Sequence, residues 1–212
     1  MNEAQVKAGL LRYLDEFFHN SEEFLAVEEV PLNQGRTRAG LVVIGPRLLG
    51  FEIKSPLDDL SRLPRQLEDY RPVFDEVTLV IGLKHLTGVL GQIPGWCGIL
   101  LVSPLAGEAS VELFREAQPN LQRDRYRLAQ LLWRDEALKV CEKHGFDYGV
   151  RSKPRLAIWE RLAERLPVEQ LAFEVREALR LRGATWRVDP RFEERLPKPK
   201  RRRRRRRRRT RR

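Results

Sequence analysis

The residues best suited to chemistry lie in the segment Gly50-Phe51-Glu52-Ile53-Lys54-Ser55. Read as a strand, it sends alternate side chains to opposite faces, so Glu52 and Lys54 share one face and Phe51 and Ile53 the other. A carboxylate and an ammonium then sit side by side on a rigid element. That pair suits metal-assisted phosphodiester hydrolysis: the carboxylate holds Mg²⁺, and the lysine orients a water or stabilises charge on the phosphate. Standing alone the tripeptide says little, because Glu-x-Lys on an amphipathic strand is usually a solvated ion pair. His19, His85 and His144 are scattered and read as structural or surface residues. Trp96, Trp133, Trp159 and Trp186 read as core or interface residues rather than stacking platforms. The sequence contains no Walker loop, dinucleotide fingerprint or nucleophile elbow.

The elements that must position Glu52 and Lys54 can be read from the periodicity. Asn2 with Gln5 forms a capping box, and Val6, Leu10, Leu14 and Phe17 recur at helical spacing, which predicts a helix over 3–19. Strands are expected at 24–30, 40–44 and 49–53, the last two joined by a tight turn at Gly45-Pro46-Arg47. A polar helix follows at 58–70, with Pro64 marking a break or a start inside it. Val77-Thr78-Leu79-Val80-Ile81 is a strand, followed by a short helix at 84–90 and a strand at 98–102. This order predicts an α/β fold, a mixed sheet flanked by helices. After Pro119 the pattern turns helical: one long helix over 128–141 stopped by Gly145, a second over 156–166, and a third from Pro167, at its first position, to Gly183. The expected organisation is a core over 1–118, a helical region over 119–188 and a disordered Pro/Lys/Arg tail over 189–212.

The stretch Gly50–Gly82, with Glu-Ile-Lys-Ser, Arg62-Leu63-Pro64-Arg65-Gln66, Tyr70 and Phe74-Asp75, resembles an uncharacterised bacterial and phage branch of the PD-(D/E)XK nuclease superfamily. The similarity continues through Pro94–Ile99 and Leu131–Leu138, then more loosely to Trp186. The resemblance implies a restriction-endonuclease-like core, ordered helix, three strands, helix, strand. It implies that Glu52 is the metal carboxylate, the Ile53 carbonyl a second metal oxygen and Lys54 the catalytic lysine. Gln66 and Tyr70 match a Gln-x-x-x-Tyr pattern that supports the site, and Glu3 matches a first-helix acid that ligates metal. Asp58 also fits the branch, without an assigned role. The implied cofactor is Mg²⁺ or Mn²⁺.

One departure weighs against this. The branch reads Arg-x-Arg-Ala-Asp on the second strand, whereas this chain has Arg36-Thr37-Arg38-Ala39-Gly40. Gly40 has no side chain to bind Mg²⁺, which takes hard oxygen ligands, typically one or two carboxylates with waters. The metal is therefore expected to bind weakly unless Glu3, Glu28 or Glu29 stands in. Two expectations remain open: a Mg²⁺-dependent deoxyribonuclease, and a nuclease-fold nucleic-acid-binding protein with impaired catalysis.

Composition sharpens the choice of partner. The chain carries 41 lysines and arginines against 30 acids. Thirteen of the basic residues are Lys198, Lys200, Arg201, Arg202, Arg203, Arg204, Arg205, Arg206, Arg207, Arg208, Arg209, Arg211 and Arg212, leaving 28 against 30, a net −2, for the rest. The positive balance thus sits in the tail, which suits sequence-independent phosphate binding. Arg36, Arg38, Arg62 and Arg65 flank the candidate site and are the expected phosphate contacts of the folded part. DNA is the expected partner and RNA the alternative, including a reading in which the tail alone binds RNA on an unrelated scaffold. No apolar run approaches the ~18 residues of a membrane span. The first residues lack the pattern of a secretion signal, and two cysteines, Cys97 and Cys141, are too few to staple a secreted scaffold, so a cytoplasmic location is expected.

Overall fold

A computed structural model describes residues 1–18 and 24–183. The expectations for His19, Trp186 and the 189–212 tail, including its basic residues, therefore lie outside the described residues. The elements are α1 (Glu3–Phe18), β1 (Leu25–Leu32), β2 (Thr37–Ile44), β3 (Leu48–Lys54), α2 (Leu63–Tyr70), β4 (Glu76–Gly82), α3 (Leu86–Leu90), β5 (Gly98–Leu105) and β6 (Glu108–Arg115), then α4 (Arg125–Ala129), α5 (Arg134–Lys143), α6 (Arg155–Arg165) and α7 (Val168–Arg182). The strands form one six-stranded mixed sheet in sequence order. β1, β2 and β3 pair antiparallel through tight connections. β4 joins β3 in parallel because α2 carries the chain back across the sheet, and β5 joins β4 in parallel. β6 turns back antiparallel on β5.

α1 begins where the capping box places it: the Asn2 and Gln5 side chains accept each other's backbone N–H at 2.9 and 3.0 Å. Its buried Val6, Leu10 and Leu14 cover one sheet face, against Leu41, Val43, Phe51, Ile53, Val80 and Leu100. The opposite face carries α2 and the C-terminal helices in one continuous apolar cluster, from Val42, Leu79 and Ile81 through Leu63, Leu67 and Tyr70 to Leu132, Trp159 and Leu171. Asp75, at the foot of β4, adds polar ties to the helical region through Arg123 at 2.5 Å and Arg176 at 3.9 Å.

Two expectations are corrected. The long helix over 128–141 is two helices, α4 and α5. The chain breaks before Trp133, whose backbone N–H is accepted by the Glu136 carboxylate at 2.7 Å, so a new helix is capped there. Pro167 is the residue before α7 rather than its first turn. β6 was not anticipated. Its Leu113 and Phe114 are half exposed, and Ser110, Glu112 and Arg115 interrupt any clean apolar alternation.

Gly50 lies under Phe74, where a built Cβ would come within 2.7 Å of ring carbon Cε2. Phe74 is fully buried and cannot retreat. Gly50→Ala should therefore lower the urea midpoint without changing the slope, a loss of about 1–3 kcal/mol from overpacking. An unchanged midpoint would show that the α2–β4 turn yields freely.

Candidate functional site

Strand alternation holds at β3. Phe51 and Ile53 pack beneath α1, while Glu52 and Lys54 point to the face covered by α2, only 4% and 9% exposed. α2 starts at Leu63 with Pro64 in its first turn, where a missing N–H costs nothing. That start puts Gln66 and Tyr70, one helical turn apart, over Glu52. Lys54 Nζ lies 2.9 Å from Glu52 Oε1 and donates to Gln66 Oε1 at 2.8 Å. Gln66 Nε2 donates to Glu52 Oε1 at 2.5 Å, and the Tyr70 hydroxyl donates to Glu52 Oε2 at 2.5 Å. Four residues expected at one site thus form one closed network, in which every partner is a side chain of this chain.

Tyr70 is the link to Gly40. Its hydroxyl accepts the Gly40 N–H at 3.1 Å while donating to Glu52. Complete burial and the adjacent Glu52 carboxylate push the phenol well above its ordinary range, so it stays a proton donor. The β2–β3 ladder ends at Leu41↔Phe51, and the next pair in register would be Gly40 and Glu52. A Cβ built on Gly40 meets the Phe51 carbonyl oxygen at 3.4 Å, Ile53 N at 3.6 Å and Ile53 Cγ1 at 3.7 Å, ordinary contacts that leave room for a side chain.

Across Gly40 on the other side stands Glu29. The pairs Glu28↔Leu41 and Val30↔Ala39 flank it, placing Glu29 opposite Gly40. Its φ of 57° lies in the left-handed region, uncommon for a residue with a side chain. Lys7 on α1 sits among the neighbouring acids, 3.1 Å from Glu28 and 3.5 Å from Glu3. Burial opposes the Lys7 charge, but the Glu28 hydrogen bond and the fields of Glu28, Glu3 and Glu29 outweigh it and raise its pKa. Glu3 is thus placed with Lys7 and the β1 acids rather than in the Glu52 network.

The other expected residues are distributed around this centre. Arg36 and Arg38 are exposed at the start of β2, and Arg62 and Arg65 are exposed on and before α2. Asp58 proves to be a turn residue: its carboxylate accepts the Ser55 N–H at 2.6 Å, fixing the chain just after Lys54. His85 contacts the Ser55 carbonyl oxygen at 3.0 Å. Asp69, buried beside Tyr70, was missed. It accepts from Asn33 at 2.8 Å and from the Thr37 hydroxyl, and Arg127 of α4 reaches the same Asn33. The only sequence signal for it was an acid on the apolar side of a short helix.

Does this donor set fit a divalent cation? Both Glu52 oxygens are engaged by internal donors, Gly40 supplies no ligand, and among the described residues no group of three or more His, Cys, Asp or Glu is placed to hold a metal. The residues present do not form a resident Mg²⁺ site, so no step is derived through the ion. Among the described residues, no helix is long and apolar enough to cross a membrane.

Comparison with known proteins adds the following. A family model described as Bacteriophage P4 protein cII matches residues 1–188. Protein cII of Enterobacteria phage P4 is 32% identical over 100 residues, a stretch covering 47% of this chain and 38% of that protein. The match therefore spans well under two thirds of that relative's length. No solved structure matches the chain.

Proposed function

The chain belongs to the bacteriophage P4 protein cII family, and we propose that it is a nucleic-acid-binding protein on a PD-(D/E)XK nuclease-like core whose metal-dependent cleavage is impaired. The observation that carries this reading is the Glu52 carboxylate, held by Lys54, Gln66 and Tyr70 next to a glycine where the resemblance expects an acid. Support for the core is the succession of α1, three antiparallel strands, α2 and a parallel β4. Support for binding is the exposed Arg36, Arg38, Arg62 and Arg65 beside the network, with the arginine-rich tail as a second source of phosphate contacts. DNA is the proposed partner.

A second reading, an active Mg²⁺- or Mn²⁺-dependent deoxyribonuclease through Glu52 and Lys54, is favoured by Glu29, which lies opposite Gly40 and could supply the missing carboxylate. Calorimetric titration of Mn²⁺ and Mg²⁺, alongside cleavage of linear and single-stranded DNA, separates the two. Under the first reading the natural chain binds metal weakly and cuts little. Gly40→Asp, for which there is room, then raises metal affinity by roughly tenfold or more, since a carboxylate replaces a neutral water in a hard-ligand set. Tight metal binding by the natural chain that Glu29→Ala abolishes would reverse the order of the readings.

A further inference from the structure

Beyond Lys54 the chain enters a compact turn, Ser55-Pro56-Leu57-Asp58, at the end of β3. The corresponding end of its parallel neighbour β4 is Gly82-Leu83-Lys84-His85. The two turns are locked together. A Cβ on Gly82 would lie 2.7 Å from Pro56 Cγ, so only glycine lets the turns pack this closely. His85 Nε2 is 3.0 Å from the Ser55 carbonyl oxygen. Within the first turn, Asp58 accepts the Ser55 N–H at 2.6 Å and Ser55 Oγ accepts the Leu57 N–H at 3.3 Å. From this rigid base the next residue of each turn projects outward: Leu57 is 79% exposed and Leu83 65%. Single exposed leucines mean nothing, but two on adjoining braced turns form a fixed apolar tip. Its neighbours Arg62 and Lys84 are exposed cations.

We propose that Leu57 and Leu83 form an apolar tip that packs against unstacked bases of DNA bound at the Glu52–Lys54 site, so that the protein prefers frayed ends and single strands to closed duplex. This rests on the nucleic-acid-binding reading above. The order of groups argues for bases as the occupant. Arg62, Lys84 and Lys54 suit phosphates, and a strand whose phosphates lie there must turn its sugars and bases toward the surface between them, which is Leu57 and Leu83. Apolar side chains at such places open base steps by wedging between them. The tip is already ordered by its hydrogen bonds, so binding does not have to freeze it.

The test uses the full chain with 2-aminopurine-labelled DNA in three forms: a closed hairpin, the same duplex with mismatched terminal pairs, and a single strand. The natural protein should bind the frayed and single-stranded forms roughly tenfold tighter than the hairpin and brighten the aminopurine as it unstacks. Leu57→Ser/Leu83→Ser should erase the preference and the brightening while keeping hairpin affinity. Leu57→Trp should preserve the preference. Equal preference in the natural and double-serine proteins would overturn the proposal. So would a change in self-association alone, which would assign the tip to protein contact. If the natural chain binds no DNA in any form, the underlying reading fails and the tip fails with it, a result distinct from hairpin binding without preference.

Discussion

Deleting Lys198–Arg212 should weaken binding to duplex DNA and flatten its dependence on salt. The segment holds 13 basic residues and no acid, whereas the rest of the chain carries 28 basic against 30 acidic residues. The remainder, at −2, has almost no long-range attraction for a polyanion. Each phosphate neutralised on duplex DNA contributes about 0.9 to the slope of log K against log salt. If the tail makes about 6–10 such contacts, affinity of the full chain falls by roughly 10³–10⁵ between about 50 and 200 mM salt. The truncated chain should show only the shallow slope of Arg36, Arg38, Arg62 and Arg65. Fluorescence anisotropy across a salt series measures both. Matching slopes for the two proteins would remove the tail from the interface and leave it a solvated extension.

The tail was legible because composition alone determines its charge, and β3 was legible because alternation decides which face a side chain takes. Glu52 and Lys54 were paired on that rule, and the structure buries them on one face. The Asn2–Gln5 capping box and the Gly45–Arg47 turn were equally local and equally readable. What could not be read depends on contacts between distant segments. Glu29 comes opposite Gly40 only through the β1–β2 register. Asp69 matters only because Asn33, Thr37 and, behind them, Arg127 converge on it from other elements. Asp58 fitted the family pattern without a role, and its role is a hydrogen bond to the backbone of Ser55 that no periodicity reveals. β6 escaped because it is an edge strand, whose outer residues need not be apolar. The split between α4 and α5 escaped for a related reason: Leu128, Leu131, Leu132 and Leu138 keep helical spacing across a break whose signal is one capping carboxylate.

Lys54→Met should produce the largest loss of stability among single changes at the site, and the pH dependence of that loss identifies its cause. Glu52 and Lys54 are 4% and 9% exposed, so their pair is not the solvated kind that contributes little. Methionine matches the lysine stem but removes the ammonium 2.9 Å from Glu52 Oε1 and the donor to Gln66 Oε1. The carboxylate then keeps only neutral donors, Gln66 and Tyr70. Leaving a buried charge without its partner costs about 3–5 kcal/mol. The sign with pH follows from proton uptake. An unpaired buried carboxylate gains from protonation, so the folded variant binds more protons than its unfolded chain, and its deficit against the natural protein is full near neutrality and narrows as pH falls toward the ordinary glutamate range. Removing both charges, in Glu52→Gln/Lys54→Met, should recover most of the loss at neutral pH, because no buried charge remains. Urea unfolding of the four proteins across a pH series completes the cycle. A deficit under about 0.5 kcal/mol that does not change with pH would make Glu52–Lys54 a solvated strand pair. A large, pH-dependent deficit with DNA affinity unchanged would mean that the network braces α2 against the sheet and that Arg62 and Arg65, which α2 carries, make the phosphate contacts.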